Sequence, residues 1–285
     1  MKQIKWVTDD PLAVYEAIAG EDRHKRDRRV FSRLRRRIEN AYKRYQFWKP
    51  NLHRLRALGA QLSAREQAAL LRCYKGAHIA PRSKSPRDKL YAEIRKRAAE
   101  CPYCTIGPTK TLDHYLPKQR YPEFAVLTIN LVPSCSSCNS SRDFRTRSGE
   151  RALIHPYFDT IPDERLLFAE IRVAAGQPDV TFDVINWRRT ANPTFAQLYG
   201  RHVTLLRLRK RYRRWALSSA YGLDAIASTI TVWSRGKSRD EVRRILEEQA
   251  GKDELKHGAN HFKVVLHRAA AASDEFLDYC LGSRP

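Results

Sequence analysis

CPYC at 101–104, LDHYLP at 112–117 and TINLVPSCSSCNSSR at 128–142 decide how this chain is read. Two Cys-x-x-Cys pairs, Cys101/Cys104 and Cys135/Cys138, bracket an Asp-His dipeptide, and Asn130 and Asn139 come after it. Thiolates bind zinc tetrahedrally, and two such knuckles bring four of them to one point. Thirty residues separate Cys104 from Cys135, so the intervening segment must form a structure of its own over the clip. Disulfides are the competing use of these cysteines, but they belong to oxidising compartments. Cys73 and Cys280 have no partner motif and read as ordinary buried residues.

Asp113 and His114 lie in a short extended segment, Thr111–Leu116, cut off by Pro117. A carboxylate is the hard oxygen ligand that a magnesium-type ion requires. A histidine beside it can take a proton from water near neutral pH. In isolation the pair would read as a solvated aspartate and a satisfied histidine in a turn. Inside a zinc clip, with two asparagines following, it reads as a site. Neighbours on a regular strand face opposite sides, so a shared phosphate requires a bulge or a strand end here.

Outward from this centre the chain divides into a basic helical region (1–88), the clipped module (89–150) and a hairpin-plus-helix region (151–285). In the first, Asp10-Pro11 is an N-cap followed by an N1 proline, opening a helix through Leu12, Tyr15 and Ile18 to Gly20. Phe31, Leu34, Ile38, Tyr42 and Tyr45 then recur at three- and four-residue steps, surrounded by Arg29, Arg33, Arg35, Arg36, Arg37 and Arg44. That is one apolar stripe on a long basic helix. Ser63 and Glu66 make a capping box for a helix ending near Gly76, and Ser85-Pro86 starts another, with Leu90 and Ile94 facing inward. After residue 150, Leu167–Val173 and Val180–Ile185 predict a β-hairpin interrupted at Gly176–Asp179. Asn192-Pro193 opens one long helix with Phe195, Leu198, His202, Leu205, Leu208, Tyr212 and Trp215 on its stripe, which makes His202 a core histidine. Ser238 and Glu241 form a second capping box, and a final helix starts near Ala259. The fold class expected is α+β, mainly helical.

The order Cys-x-x-Cys, Asp-His-x-x-Pro, Asn-Leu-x-x-x-Cys-x-x-Cys-Asn, with a basic residue three places on, resembles an HNH endonuclease of the ββα-metal fold. The match covers about residues 100–145. The resemblance implies that His114 is the general base, that Asp113 and Asn139 are ligands of the catalytic metal, and that Asn130 ties the loop between the strands and holds the histidine. It sets Arg142 toward phosphate. Many members carry histidine where this chain has Asn139. A neutral carbonyl oxygen there shifts the expected ion toward Mg2+ or Mn2+, beside a structural Zn2+ on Cys101, Cys104, Cys135 and Cys138. The long flanks are similar in layout to stand-alone HNH nucleases of bacterial anti-phage systems of the Septu and retron-linked kind. That likeness implies an ATPase partner, since the chain has no Walker A motif of its own.

The bulk properties suit such a role. A formal charge of +23 and a pI near 10.1 make nucleic acid the first partner to consider, DNA before RNA. An anionic membrane surface competes for the same charge, but no apolar run approaches the ~18–20 residues of a spanning helix. Lys118 and Arg120, in the loop after Pro117, are candidate phosphate contacts, as are the Arg29–Arg44 helix and the Arg207–Arg214 run. His257 and His261, four apart with Gly258 between them, make a weak second metal pair, and His155–Asp159 reads as packing near the site. The chain is expected to be a cytoplasmic, metal-dependent endonuclease. The rival readings are a non-catalytic zinc-dependent nucleic-acid binding module and a subunit whose basic helices dock an acidic protein.

Overall fold

The structure, a computed structural model, describes residues 1–74, 85–140, 149–218, 220, 222–233 and 236–282. It is α+β and mainly helical, with two antiparallel two-stranded sheets among the described residues. The chain divides into two compact units. One is built from Gln3–Tyr103 and Gly107–Thr160, the other from Ile161–Pro285 with the short segments Met1–Lys2 and Cys104–Ile106.

In the unit that carries the motif, α1 (Pro11–Ala19) begins where the Asp10 carboxylate accepts the Leu12 N–H at 3.0 Å, and it stops at Gly20. The long basic helix α2 (Arg28–Trp48) buries Phe31, Leu34, Ile38, Tyr42 and Tyr45 along one stripe. Helix α3 (Ala64–Tyr74) starts at the reciprocal Ser63–Glu66 cap; its expected end near Gly76 lies outside the described residues. Ser85 caps α4 (Pro86–Lys96), which buries Leu90 and Ile94. Strands β1 (Thr111–His114) and β2 (Leu131–Ser134) pair antiparallel, with Asp113 opposite Val132 and His114 opposite Leu131. The short helix α5 (Ser136–Asn139) follows β2 directly.

The loop joining β1 to β2 is itself core. Tyr121 donates its hydroxyl to the Leu55 carbonyl at 3.0 Å, and the ring of Phe124 meets that of Tyr45 edge-on at 5.0 Å. Glu123 is only 2% exposed and accepts the buried Leu58 N–H at 2.7 Å. Burial raises its carboxyl above the ordinary 4.5, against the opposing pull of that hydrogen bond and of Arg44 and Arg37.

The other unit departs from the sequence reading in four places. The hairpin β3 (Leu167–Ala174) and β4 (Gln177–Val184) turns at Ala175 and Gly176 alone, at φ 50° and 72°. Pro178 and Asp179 therefore lie inside β4 and do not break it. Positive φ at both positions is the pattern of a two-residue type I′ hairpin turn, and proline is tolerated in a two-stranded sheet, where every strand is an edge. The single long helix expected after Asn192 is two: α6 (Pro193–Leu205) and α7 (Leu208–Ser218), separated where Arg207 takes φ 52°. The apolar stripe continues across that break because His202, Leu208 and Tyr212 are all buried, so periodicity could not register it. A helix the pattern did not suggest, α8 (Leu223–Trp233), precedes α9 (Arg239–His257), whose Ser238–Glu241 capping box is present. The final helix is also divided, into α10 (Phe262–Ala272) and α11 (Asp274–Leu281), with Ser273 capping the second at Phe276. Asn260 fastens the start of β3, accepting from Leu166 and Leu167 at 2.7 and 3.0 Å and donating to Glu164. No described helix is long and apolar enough to cross a membrane.

Glu123 gives a test of this packing. Because its folded pKa is raised, its contribution is complete below the unfolded value of 4.5 and is lost as pH rises through the folded one. Glu123→Gln keeps the acceptor for Leu58 and removes the ionisation, so it should match or exceed the parent in urea unfolding at pH 7 and flatten the pH profile. Glu123→Ala strands a buried N–H and should cost about 1–3 kcal/mol in the same measurement.

Candidate functional site

Cys101, Cys104, Cys135 and Cys138 are all buried, none is disulfide-bonded, and their four sulfurs lie within 4.8 Å of one another. Tetrahedral thiolate ligation at Zn–S ≈ 2.3 Å needs sulfurs roughly 3.8 Å apart, so the donor set fits a zinc-type ion with small adjustment. Local backbone makes each pair a knuckle. Cys101 N–H donates to Gly107 O at 2.8 Å, Thr105 takes φ 56° directly after Cys104, and Cys138 and Asn139 N–H both donate to Cys135 O. Gly107 allows a close approach to the cluster: a Cβ there would stand a tight 3.1 Å from the Cys135 Cβ. Cys73 and Cys280 are buried elsewhere, and burial pushes the Cys280 thiol up to about 12.

His114 is the last residue of β1, the strand end that a shared site requires. Its Nε2 lies 2.9 Å from the Ala125 carbonyl. A carbonyl only accepts, so Nε2 carries the proton and Nδ1 keeps its lone pair. Burial and, after it, the Lys118 ammonium lower the imidazole to about 3, against the raising pull of the Ala125 bond. Asp113, just before it, is also largely buried. Asn139, at the end of α5, points its Nδ2 toward the Leu112 carbonyl at 3.5 Å, leaving Oδ1 as its donor atom. Asp113 and Asn139 thus bring a carboxylate from β1 and an amide oxygen from the helix that follows β2.

Asn130 has no exposed surface. Its Oδ1 accepts from Leu116 N at 2.8 Å and Tyr45 Oη at 3.2 Å, and its Nδ2 donates to Leu116 O and Phe124 O, each at 3.2 Å. Three of these four hydrogen bonds grip the loop that presents the Ala125 carbonyl to His114, and the fourth comes from α2. Being sealed from solvent, Asn130 shapes the site without touching anything bound in it. His155 supports it from below: its Nδ1 accepts from Tyr157 N at 3.2 Å, so its protonated Nε2 faces Tyr45 Oη at 3.5 Å. Burial and Arg151 hold its pKa well below the ordinary value, and it stacks on Phe158, which makes it a packing residue.

The basic candidates separate. Lys118 Nζ sits 5.0 Å from the ring centroid of Tyr74, whose ring in turn lies 4.2 Å from that of His114. Lys118 is therefore at the site. Arg120 is exposed and stands over Tyr121 at 5.7 Å, with no contact described to His114. Arg142 lies outside the described residues. In the Arg207–Arg214 run, Arg209 and Arg213 pair with Asp183 and Asp179 of β4, so part of that charge secures α7 to its sheet. In α2, Arg35 pairs with Glu16, while Arg37 and Arg44 donate to the Gln61 and Arg56 carbonyls. His257 and His261 stack at 4.4 Å, and His261 Nδ1 accepts from Lys263 N as the cap of α10. Tyr74 and the Ala125 carbonyl carry no sequence signal; Tyr45 was legible only as a member of an apolar stripe.

No family model and no solved structure matches the chain. It is 30% identical over 191 residues to protein Ea31 of Escherichia phage lambda, a stretch covering 62% of this chain and 63% of that relative. The matched stretch therefore spans less than two thirds of the phage protein's length.

Two measurements check this construction. The purified chain should hold one zinc per molecule by elemental analysis, and Cys138→Ser should lose it together with several degrees of melting temperature. Asn130→Ala leaves several buried groups unpaired at about 1–3 kcal/mol each, so its unfolding free energy in urea should fall by at least ~3 kcal/mol.

Proposed function

We propose that the chain is a metal-dependent endonuclease of the HNH type, acting on DNA. One observation carries the reading: the Asp-His pair stands at the end of β1, with His114 Nε2 engaged by a carbonyl and Asn139 seated on the same strand by the helix after β2. A binding module has no use for a histidine whose Nδ1 is kept as an acceptor.

The residues divide the work as follows. His114 Nδ1 takes the proton of an in-line water, and the negative charge of a bound phosphate would offset the burial and the Lys118 ammonium that hold the imidazole down. The Ala125 carbonyl keeps the ring in the tautomer that can do so and steadies the imidazolium that forms. Asn130 holds the loop that supplies that carbonyl. Lys118 offers an ammonium to the non-bridging phosphate oxygens. A divalent ion on Asp113 and Asn139 would neutralise charge building on the phosphate and on the leaving 3′ oxygen. The cysteine clip joins the start of β1 to α5 and so fixes the separation of Asp113 and Asn139.

The setting we infer is phage–host conflict in the cytoplasm, with an ATPase partner gating the nuclease. The layout resembles defence nucleases, and the similarity to a lambda protein supports a phage connection.

Supercoiled plasmid incubated with the purified protein and Mg2+ or Mn2+ should be nicked or linearised. The activity should vanish with EDTA and fall at least ~10²-fold in His114→Ala. Cleavage that persists in the variant would remove His114 from the mechanism. Tight DNA binding without cleavage by wild type under all divalent ions would favour the non-catalytic binding module.

A further inference from the structure

Tyr74 ends α3, forty residues before the Asp-His pair, and belongs to no motif. Its ring is 5% exposed and touches the site on two sides. The His114 imidazole meets it at 4.2 Å and 74°, and the Lys118 ammonium stands 5.0 Å from its centroid. Its hydroxyl donates to the Leu112 carbonyl at 3.2 Å, the acceptor that Asn139 Nδ2 approaches at 3.5 Å. Tyr91 of α4 backs the ring at 5.4 Å.

Each contact has a physical consequence. A lysine side chain carries much rotamer entropy, and an aromatic face confines the ammonium at little desolvation cost. An edge-on aromatic neighbour restricts rotation of the His114 ring about the axis set by its Ala125 bond. A shared carbonyl couples the tilt of α5 to the end of α3. Further, Asp113 raises the Tyr74 phenol, burial being the larger cause, and Arg95 opposes it, so both charges act at this ring.

We propose that Tyr74 is a positioning residue for phosphodiester cleavage. Its ring holds the Lys118 ammonium beside His114, and its hydroxyl fixes the carbonyl on which Asn139 is seated, so that base, metal-ligand arm and phosphate-binding cation converge on one phosphate. The inference rests on the nuclease reading and adds to it a residue from the basic helical region.

The test has two arms. In a His114→Ala background with Ca2+, affinity for a short DNA duplex is measured against salt. Lys118→Ala should lower the slope of log K against log [salt] by about 1, the loss of one phosphate contact. Tyr74→Leu should lower it equally, the double variant no further, and Tyr74→Phe should keep the parent slope. With His114 intact and Mg2+, Tyr74→Phe should lower kcat by about 10-fold with KM unchanged, because only the hydroxyl that seats Asn139 is lost. A folded Tyr74→Leu with the parent slope, or losses that add in the double variant, would overturn the coupling to Lys118. Should Tyr74→Leu not fold, Tyr74→Phe decides alone: parent kcat overturns the proposal. If wild type alone never cleaves, the salt-slope cycle decides the Tyr74–Lys118 pairing, and the nuclease reading falls when addition of the ATPase partner restores no activity.

Discussion

The site depends on a buried amide. Asn130 spends both ends of its side chain on the loop between β1 and β2, gripping Leu116 through both its N–H and its carbonyl and Phe124 through its carbonyl. A loop of that length would ordinarily carry unsatisfied backbone groups if buried. Here the amide satisfies them, so the loop can enter the core and present the Ala125 carbonyl to His114. The hydroxyl of Tyr45 completes the amide from α2, and His155 completes the hydroxyl. The tautomer of His114 is thus set by a chain of neutral hydrogen bonds running through the hydrophobic interior. Such a chain is stiff because each member, if displaced, would be left unpaired in a low-dielectric surrounding.

The cysteine cluster works at the opposite end of the same strand pair. It binds the segment before β1 to the helix after β2, elements that a short two-stranded sheet would hold weakly. A four-residue helix has little stability of its own. Asn139 can therefore be positioned only if Cys135 and Cys138 are fixed from outside the helix. Cysteine cluster and buried amide act on separate parts of the β1–α5 segment, one holding Asn139 and the other His114.

Charge is organised less simply than the total of +23 suggests. Arg209 and Arg213 neutralise carboxylates four residues apart on β4, which matches a helix repeat to a strand repeat across the interface. Several α2 arginines reach carbonyls and carboxylates of the helical region itself. The cation set closest to the histidine is instead a lysine held over an aromatic ring.

Much of this was legible in the sequence. Spacing, together with the reducing compartment expected, pointed to the four-cysteine cluster, because two knuckles bring four thiols to one point. Capping residues at Asp10, Ser63, Ser85 and Ser238 marked helix starts, since a side-chain acceptor for the first-turn N–H groups is a local event. The stripe of α2 marked its buried face for the same local reason. What periodicity could not show were backbone reversals that leave the apolar face continuous, as at Arg207, or a tight turn that leaves Pro178 inside a strand. Nor could it show Tyr74 beside His114, Glu123 beneath Leu58, or the Ala125 carbonyl on the imidazole. Those contacts join residues from separate elements, and a carbonyl is common to every residue, so only the packed chain decides which one a histidine meets.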